Sequence, residues 1–363
     1  MTNIKVPFND LSRIHKPIEN KVIKNIRSIV NKNSFILGEY VQEFEQNFSK
    51  FSNSKYSISC GNGTDAIELV LRALNIKFGD EVIVQANTFI ATALAVSRTG
   101  ATPVFIDNGE DYLLDSDNIS KAISKKTKAI ISVNLYGQMG DNYLLHKIAK
   151  KHNLYFIEDS AQAHGATQNG KSPGKYSIAS TYSFYPGKNL GAWGDGGSIT
   201  TNNKKFADKL IYLRNWGSKK KYFHDIVGYN SRLDPIQAVV LSEKLKFLKE
   251  WNINRNEIAT FYSENLSHKY ILPKVNSGNY HVWHLYVIRT KKRNQIIDEG
   301  KKHNIEFGIH YPRPVHRQKA YSDLKVKKLV NSEKQANELL SLPMFPKMKK
   351  NEMQKVVSFL NSF

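Results

Sequence analysis

The sequence predicts an α/β protein: a large, mainly parallel sheet with helices on both faces, followed by a smaller α+β domain. Three observations carry that expectation. Short apolar runs alternate with helix-like stretches through roughly the first two-thirds of the chain. After Gly197 the alternation stops and helical patterns dominate. The length of 363 residues suffices for one large domain, a smaller one and a substantial core.

Taken in order, Tyr56–Cys60 reads as a buried strand, followed by the turn GNG and a helix near Thr64–Leu74. Glu81–Gln85 is a second strand and Ala91–Arg98 a helix. Thr102–Ile106 and Ala129–Val133 are further strands, and a helix over Leu144–Lys151 precedes the strand Tyr155–Asp159. Strands that recur with helices between them pair in parallel, because a crossover is needed to return the chain to the same end of the sheet. Beyond Gly197, helices are expected over Lys204–Arg214 and Pro235–Phe247. From about Arg255 the chain mixes a helix, the strand-like Val282–Arg289 and a helix near Arg293–His303. Residues 1–250 are therefore assigned to the large domain and 251–363 to the small one.

Composition narrows the function classes. No apolar run approaches the ~18 residues that span a bilayer. The opening MTNIKVPFNDLSRIHKPIEN lacks the apolar segment of a secretory signal, so a cytoplasmic protein without a membrane partner is expected. The one cysteine, Cys60, excludes an intrachain disulfide and a cysteine-cluster zinc site, and no metal is expected. Lys+Arg number 53 against 32 Asp+Glu, a surplus that suits nucleic acid, anionic lipid or a polyanionic small substrate. Its basic runs (125–128, 219–221, 325–328 and 347–350) are dispersed in turn-like or helix-end contexts, as solvated surfaces are. Paired Cys/His fingers, an RNP-like aromatic strand and a helix-turn-helix pattern are all missing, so no nucleic-acid partner is expected.

The chemistry lies in three segments. FIEDSAQAHGA places Glu158 and Asp159 at the end of a strand, where an acid either caps the next loop or serves a site. In YSFYPGKNLGAWGDGG, Lys188 sits in a turn made by Pro186, Gly187 and Gly191. Each residue alone is an ordinary feature; the pair is not. Schiff-base chemistry needs an amine that can be neutral. Pyridoxal phosphate also needs an acid facing its pyridine nitrogen, so that the protonated ring becomes an electron sink. The third segment, CGNGTDA, offers a phosphate site at a helix N-terminus, with Gly61 and Gly63 permitting close approach and Thr64 adding a hydroxyl. It is neither a dinucleotide fingerprint nor a P-loop. All three converge on one cofactor.

The sequence resembles the fold-type I sugar aminotransferases of the DegT/DnrJ/EryC1/StrS family, which act on nucleotide-linked keto-sugars. The resemblance runs from VPFNDL and FILGEYVQEFEQNF through GNGTDAI, ANTFIATALA, EDSAQAHGA and SFYPGKNLGAWGDGG. It continues through GYNSRLDPIQA and HYPRPVH to LPMFPKM. It implies pyridoxal 5′-phosphate held covalently by Lys188, with Asp159 on the pyridine nitrogen and Gln162 near the ring hydroxyl. Gly63, Thr64 and Ser183 would bind the phosphate. Phe89 would cover the ring face, core packing being its other reading. Asn230 would reach the phosphate from the neighbouring subunit, making each site the product of a homodimer. His164 either touches the ring or is structural. Tyr185, His310 and Tyr311 would border the sugar. The implied reaction has two halves: glutamate leaves as 2-oxoglutarate with the cofactor in its pyridoxamine 5′-phosphate form, and the keto-sugar then takes the amino group.

Within the family, Tyr185, Pro186 and Gly187, together with Ser231 and Leu233, resemble members acting on a 3-keto-6-deoxy sugar. Members acting at the 4-position read SFHA-x-KN with NYRM instead. The expected substrate is thus a dTDP-3-keto-6-deoxyhexose, with both C4 epimers open; Trp193 departs from the family's leucine. A sugar dehydratase of this fold would carry histidine in place of Lys188. A 4-keto-sugar aminotransferase and a non-catalytic regulator that binds the cofactor are the remaining alternatives.

Overall fold

The computed structural model describes residues 4–363. Two helices, α1 (Glu19–Lys32) and α2 (Glu39–Phe51), precede the first strand. Seven strands form the central sheet: β1 (Tyr56–Cys60), β2 (Glu81–Gln85), β3 (Thr102–Ile106), β4 (Thr127–Val133), β5 (Tyr155–Asp159), β6 (Ala179–Ser183) and β7 (Gly197–Thr201). Their spatial order is β1-β7-β6-β5-β4-β2-β3. From β3 to β6 neighbouring strands run parallel. β7 alone is reversed, antiparallel to both β6 and β1.

Helices α3 (Gly63–Ala73), α4 (Ala91–Arg98), α5 (Asn142–Lys151) and α6 (Lys204–Arg214) link or flank these strands. Three of them start on a side-chain cap that satisfies a free backbone N–H. Asn62 accepts from the Asp65 amide at 2.9 Å, Asp141 from Leu144 at 3.0 Å and Asn203 from Phe206 at 3.1 Å. Alternation along the strands buries both sheet faces. Val82 and Val84 join one apolar cluster with Leu69, Val96 and Leu210, whereas Ile83 joins another with Leu145 and Phe156.

Beyond the sheet lie α7 (Pro235–Leu245), α8 (Leu248–Asn265), β8 (Tyr286–Arg289), α9 (Arg293–Lys302), α10 (Val330–Glu338), β9 (Leu339–Leu342) and α11 (Lys350–Ser362). β8 and β9 pair antiparallel, with Tyr286 opposite Leu342. Their apolar side chains pack with Ile258, Tyr262, Val356 and Leu360 in a cluster of their own. Val6 belongs to that cluster, and its amide and carbonyl bond Asn304 and Glu306, so the N-terminal segment is tied to the C-terminal part. Residues 250 and 251 lie inside α8. Its Leu248 packs with Phe44 and Phe184 on the sheet side, while its Ile258 and Tyr262 pack in the C-terminal cluster.

The expected strands from Tyr56 to Asp159 occur at or within two residues of their anticipated bounds. β6 and β7 were not anticipated, and neither were α1 and α2. ASTYS and GSITT carry few large aliphatics; these strands are buried largely through small polar side chains, some of which bond serines on neighbouring segments. Ser198 Oγ lies 2.8 Å from Ser57 Oγ, and Ser180 Oγ donates to Ser160 Oγ at 2.7 Å. No helix among the described residues is long and apolar enough to cross a membrane.

The acid at the end of β5 divides into two roles. Glu158 is fully buried and accepts from the Asn134 and Asn142 side chains at 3.0 and 2.6 Å, the Gly174 amide at 2.8 Å and Ser177 Oγ at 2.9 Å. It is a structural knot binding four segments. Replacing one carboxylate oxygen by NH2 turns donors against donors, so Glu158→Gln is expected to lower stability by about 2 kcal/mol. Urea unfolding checks this; an unchanged midpoint would contradict the role.

Candidate active site

The other acid, Asp159, ends β5 and faces a cleft of about 880 Å³ at the carboxyl ends of the parallel strands. β6 lies beside it in parallel, with Thr181 opposite Asp159. Two residues further on, β6 ends at Ser183, and the chain folds into the turn that carries Lys188. The Lys188 amide donates to the Tyr185 carbonyl at 2.9 Å, and the Ala192 amide to Phe184 at 2.8 Å. Adjacent strands therefore deliver carboxylate and amine into one cavity.

Both groups feel the loss of water. Lys188 is partly open to the cleft, yet desolvation lowers its pKa to about 8, against the opposing pull of the nearby Asp159. Burial likewise pushes Asp159 upward, opposed by hydrogen bonds from Thr92 and Ala161 and by the charge of Lys188. Thr92 Oγ1 donates to one carboxylate oxygen at 2.8 Å and the Ala161 amide to the other at 3.1 Å. Thr88 Oγ1 lies 3.0 Å from Thr92 Oγ1 and extends the chain of hydroxyls. The carboxylate is thus oriented.

Across the cleft, α3 begins at Gly63 with Thr64 in its first turn. A Cβ at Gly63 would lie 2.7 Å from Ser183 Cβ, so glycine alone lets this helix end approach the end of β6. First-turn amides with no helical acceptor, the Thr64 hydroxyl and the Ser183 hydroxyl then converge as anion donors. A lysine amine, a desolvated carboxylate and this anion cradle match the carbonyl carbon, pyridine nitrogen and phosphate of pyridoxal phosphate. The residues present fit the group.

The remaining expected residues fall as follows. Gln162 is buried in the cleft wall; its Oε1 accepts from the Tyr136 amide at 2.7 Å and its Nε2 donates to Tyr311 Oη at 3.2 Å. Phe89 is 54% exposed, lines the cleft and meets the Tyr311 ring at 5.7 Å, which favours a covering role over core packing. Tyr185, His310 and Tyr311 line the cleft as well. His310 stacks on Phe8 at 5.4 Å, and burial lowers its pKa to about 4, so it is neutral. His164 is absent from the lining; it is buried among Phe48, Tyr182 and Phe184, the structural reading. Asn230 is exposed, pairs with Asn215 and does not line the cleft of its own chain. Its neighbour Ser231 does reach the cradle: Oγ accepts from the Gly61 amide at 3.0 Å and donates to Asp65 at 2.7 Å.

Several lining residues escaped the sequence. Phe8 and Asn9 arrive from the far N-terminus. Arg255 did leave a trace: it interrupts the buried stripe Trp251, Ile258 and Tyr262 on α8. Among the described residues no group of His, Cys, Asp or Glu is arranged to hold a metal.

Comparison with known proteins agrees with this geometry. Residues 16–361 match the model of the DegT/DnrJ/EryC1/StrS aminotransferase family. The dTDP-3-amino-3,6-dideoxy-alpha-D-galactopyranose transaminase of Aneurinibacillus thermoaerophilus is 45% identical, covering 99% of both chains. A protein of Geobacillus stearothermophilus named a pleiotropic regulatory protein is 43% identical, again over 99% of each. The crystal structure of Streptomyces venezuelae DesV with a ketimine intermediate superposes with a TM-score of 0.96 at 37% identity, covering 99% of this chain and 98% of that one. The chain therefore belongs to the DegT/DnrJ/EryC1/StrS aminotransferase family and is a pyridoxal-phosphate-dependent sugar aminotransferase of fold type I.

Proposed function

We propose that this enzyme aminates C3 of a dTDP-linked 3-keto-6-deoxyhexose, with glutamate as the donor, to give a dTDP-3-amino-3,6-dideoxyhexose. The single observation behind amino transfer is the pairing of Lys188 with Asp159 in one desolvated cleft. Position 3 is supported by the Tyr185-Pro186-Gly187 turn and by likeness to a relative named for that chemistry.

Bound pyridoxal phosphate supplies an electrophilic carbon for the amino group and a protonated ring that takes up the electron pair left by proton removal. Lys188 Nζ then accepts the proton from the donor's α-carbon and returns it to the cofactor side, as general base and acid. The Asp159 carboxylate, fixed by Thr92 and the Ala161 amide, holds the proton on the pyridine nitrogen. Gly63, Thr64 and Ser183 anchor the phosphate, Gln162 meets the ring hydroxyl and Phe89 covers one ring face. Tyr185, His310 and Tyr311 border the sugar. Asn230, which does not line its own cleft, serves the site of a second copy, so the working unit is a homodimer. Residues 1–250 form the cofactor-binding part and 251–363 the smaller one, meeting in α8. The enzyme works in the cytoplasm.

Incubation with glutamate and either the dTDP-linked 3-keto or the 4-keto sugar, followed by NMR of the product, tests the position. An amine at C3 from the 3-keto sugar alone is expected; amination of the 4-keto sugar would overturn it. pH supplies an independent check. Proton removal needs the neutral amine, so the donor half-reaction is expected to accelerate as pH rises through about 8 and to level off above. A stopped-flow rate that is flat or falling across that range would contradict Lys188 as the base.

A further inference from the structure

Three charged residues of the cleft lining, Arg98, Asp195 and Arg255, have no role above, and of these Arg255 alone is buried. Only 3% of it is exposed, and it lines the same cleft as Lys188 and Asp159. No carboxylate pairs with it among the described residues. One side of the guanidinium is fully engaged: Nη1 donates to the carbonyl oxygens of Trp283, His284 and Met344 at 3.0, 3.3 and 3.2 Å. The other edge is not. Nε is buried without a hydrogen-bond partner, and the guanidinium's hydrogen bonds among the described residues all run from Nη1.

A buried cation lacking an anion is strongly unfavourable, and a ligand that brings the anion relieves it. Burial lowers the Arg255 pKa to about 10, which leaves it charged at neutral pH. Its cleft neighbours offer no substitute anion. Asp159 is committed electrostatically to Lys188, and Asp195 is exposed. His284 is neutral, because burial holds its pKa well below the usual value. Its tautomer is fixed too. Asn189 spends its NH2 on Asn252 and Val282, so its Oδ1 accepts from His284 Nδ1 at 3.1 Å.

We propose that Arg255 is the anchor for a carboxylate of the amino donor, gripped side-on by the free Nε–Nη2 edge. This rests on the aminotransferase function proposed above. The edge presents two parallel N–H donors, the pattern that matches a planar carboxylate. Three backbone carbonyls hold the fork in advance, so little ordering is required on binding. A keto-sugar ring carries no carboxylate and gains nothing from that edge. Arg255 therefore separates the two half-reactions, acting in the first and idle in the second.

The test uses cofactor-loaded wild type, Arg255→Met and Arg255→Lys, with thermal unfolding as the check on folding. Calorimetry gives the Kd of maleate, an unreactive dicarboxylate, and of dTDP; stopped-flow absorbance gives the half-saturation for glutamate. Arg255→Met is expected to raise the maleate Kd and the glutamate half-saturation about 30-fold or more, with dTDP binding unchanged. Arg255→Lys, which keeps the charge without the fork, should fall between. Unchanged maleate affinity, or equal weakening of maleate and dTDP, overturns the proposal, the second by marking Arg255 as merely structural. Should Arg255→Met fail to fold, a native-like Arg255→Lys with wild-type maleate affinity overturns it equally. Wild type that responds to no amino acid would instead sink the aminotransferase function, whatever maleate does.

Discussion

An amine and a carboxylate, each stripped of water in one cleft, impose the constraint that the rest of this structure serves. Burial disfavours both charges, while each stabilises the charge of the other. Such a pair persists only if the scaffold fixes both groups and dresses their remaining valences. Here Asp159 sits on a central strand and takes two hydrogen bonds, while Lys188 rides a turn closed by backbone bonds between Phe184 and Ala192. The compromise leaves lysine deprotonable near neutral pH.

Close backbone approach is the second requirement, and glycine meets it. At Gly197, on the reversed strand, a Cβ would stand 2.3 Å from the Asn62 carbonyl oxygen. At Gly63 it would strike Ser183. These two contacts draw the first turn of α3 against the ends of β6 and β7, which places an anion cradle beside the lysine turn.

Much of this was legible in the sequence. Strands such as EVIVQ and AIISV announce themselves because both sheet faces are covered and most of their side chains are apolar. The Lys188 and Asp159 segments were readable since their chemistry needs particular residue types. β6 and β7 were not, because a strand buried through serine and threonine imitates a loop. Helix α8 was placed too late, since Leu248 and Trp251 precede the polar run that hid its start. Phe8 and Asn9 reach the cleft only through tertiary folding, and no local pattern marks a contact made across such distances. Asn230 is a different case: it bridges to Asn215 and does not line the cleft of its own chain.

The most direct test of the central claim is the visible spectrum of the cofactor-loaded enzyme and of Lys188→Ala as an amino donor is added. If Lys188 holds the cofactor and moves the proton, wild type should lose its visible band on adding glutamate and regain it with the keto-sugar. Lys188→Ala should differ in its starting spectrum and convert at least ~100-fold more slowly. Identical spectra and comparable rates in both proteins would contradict the account.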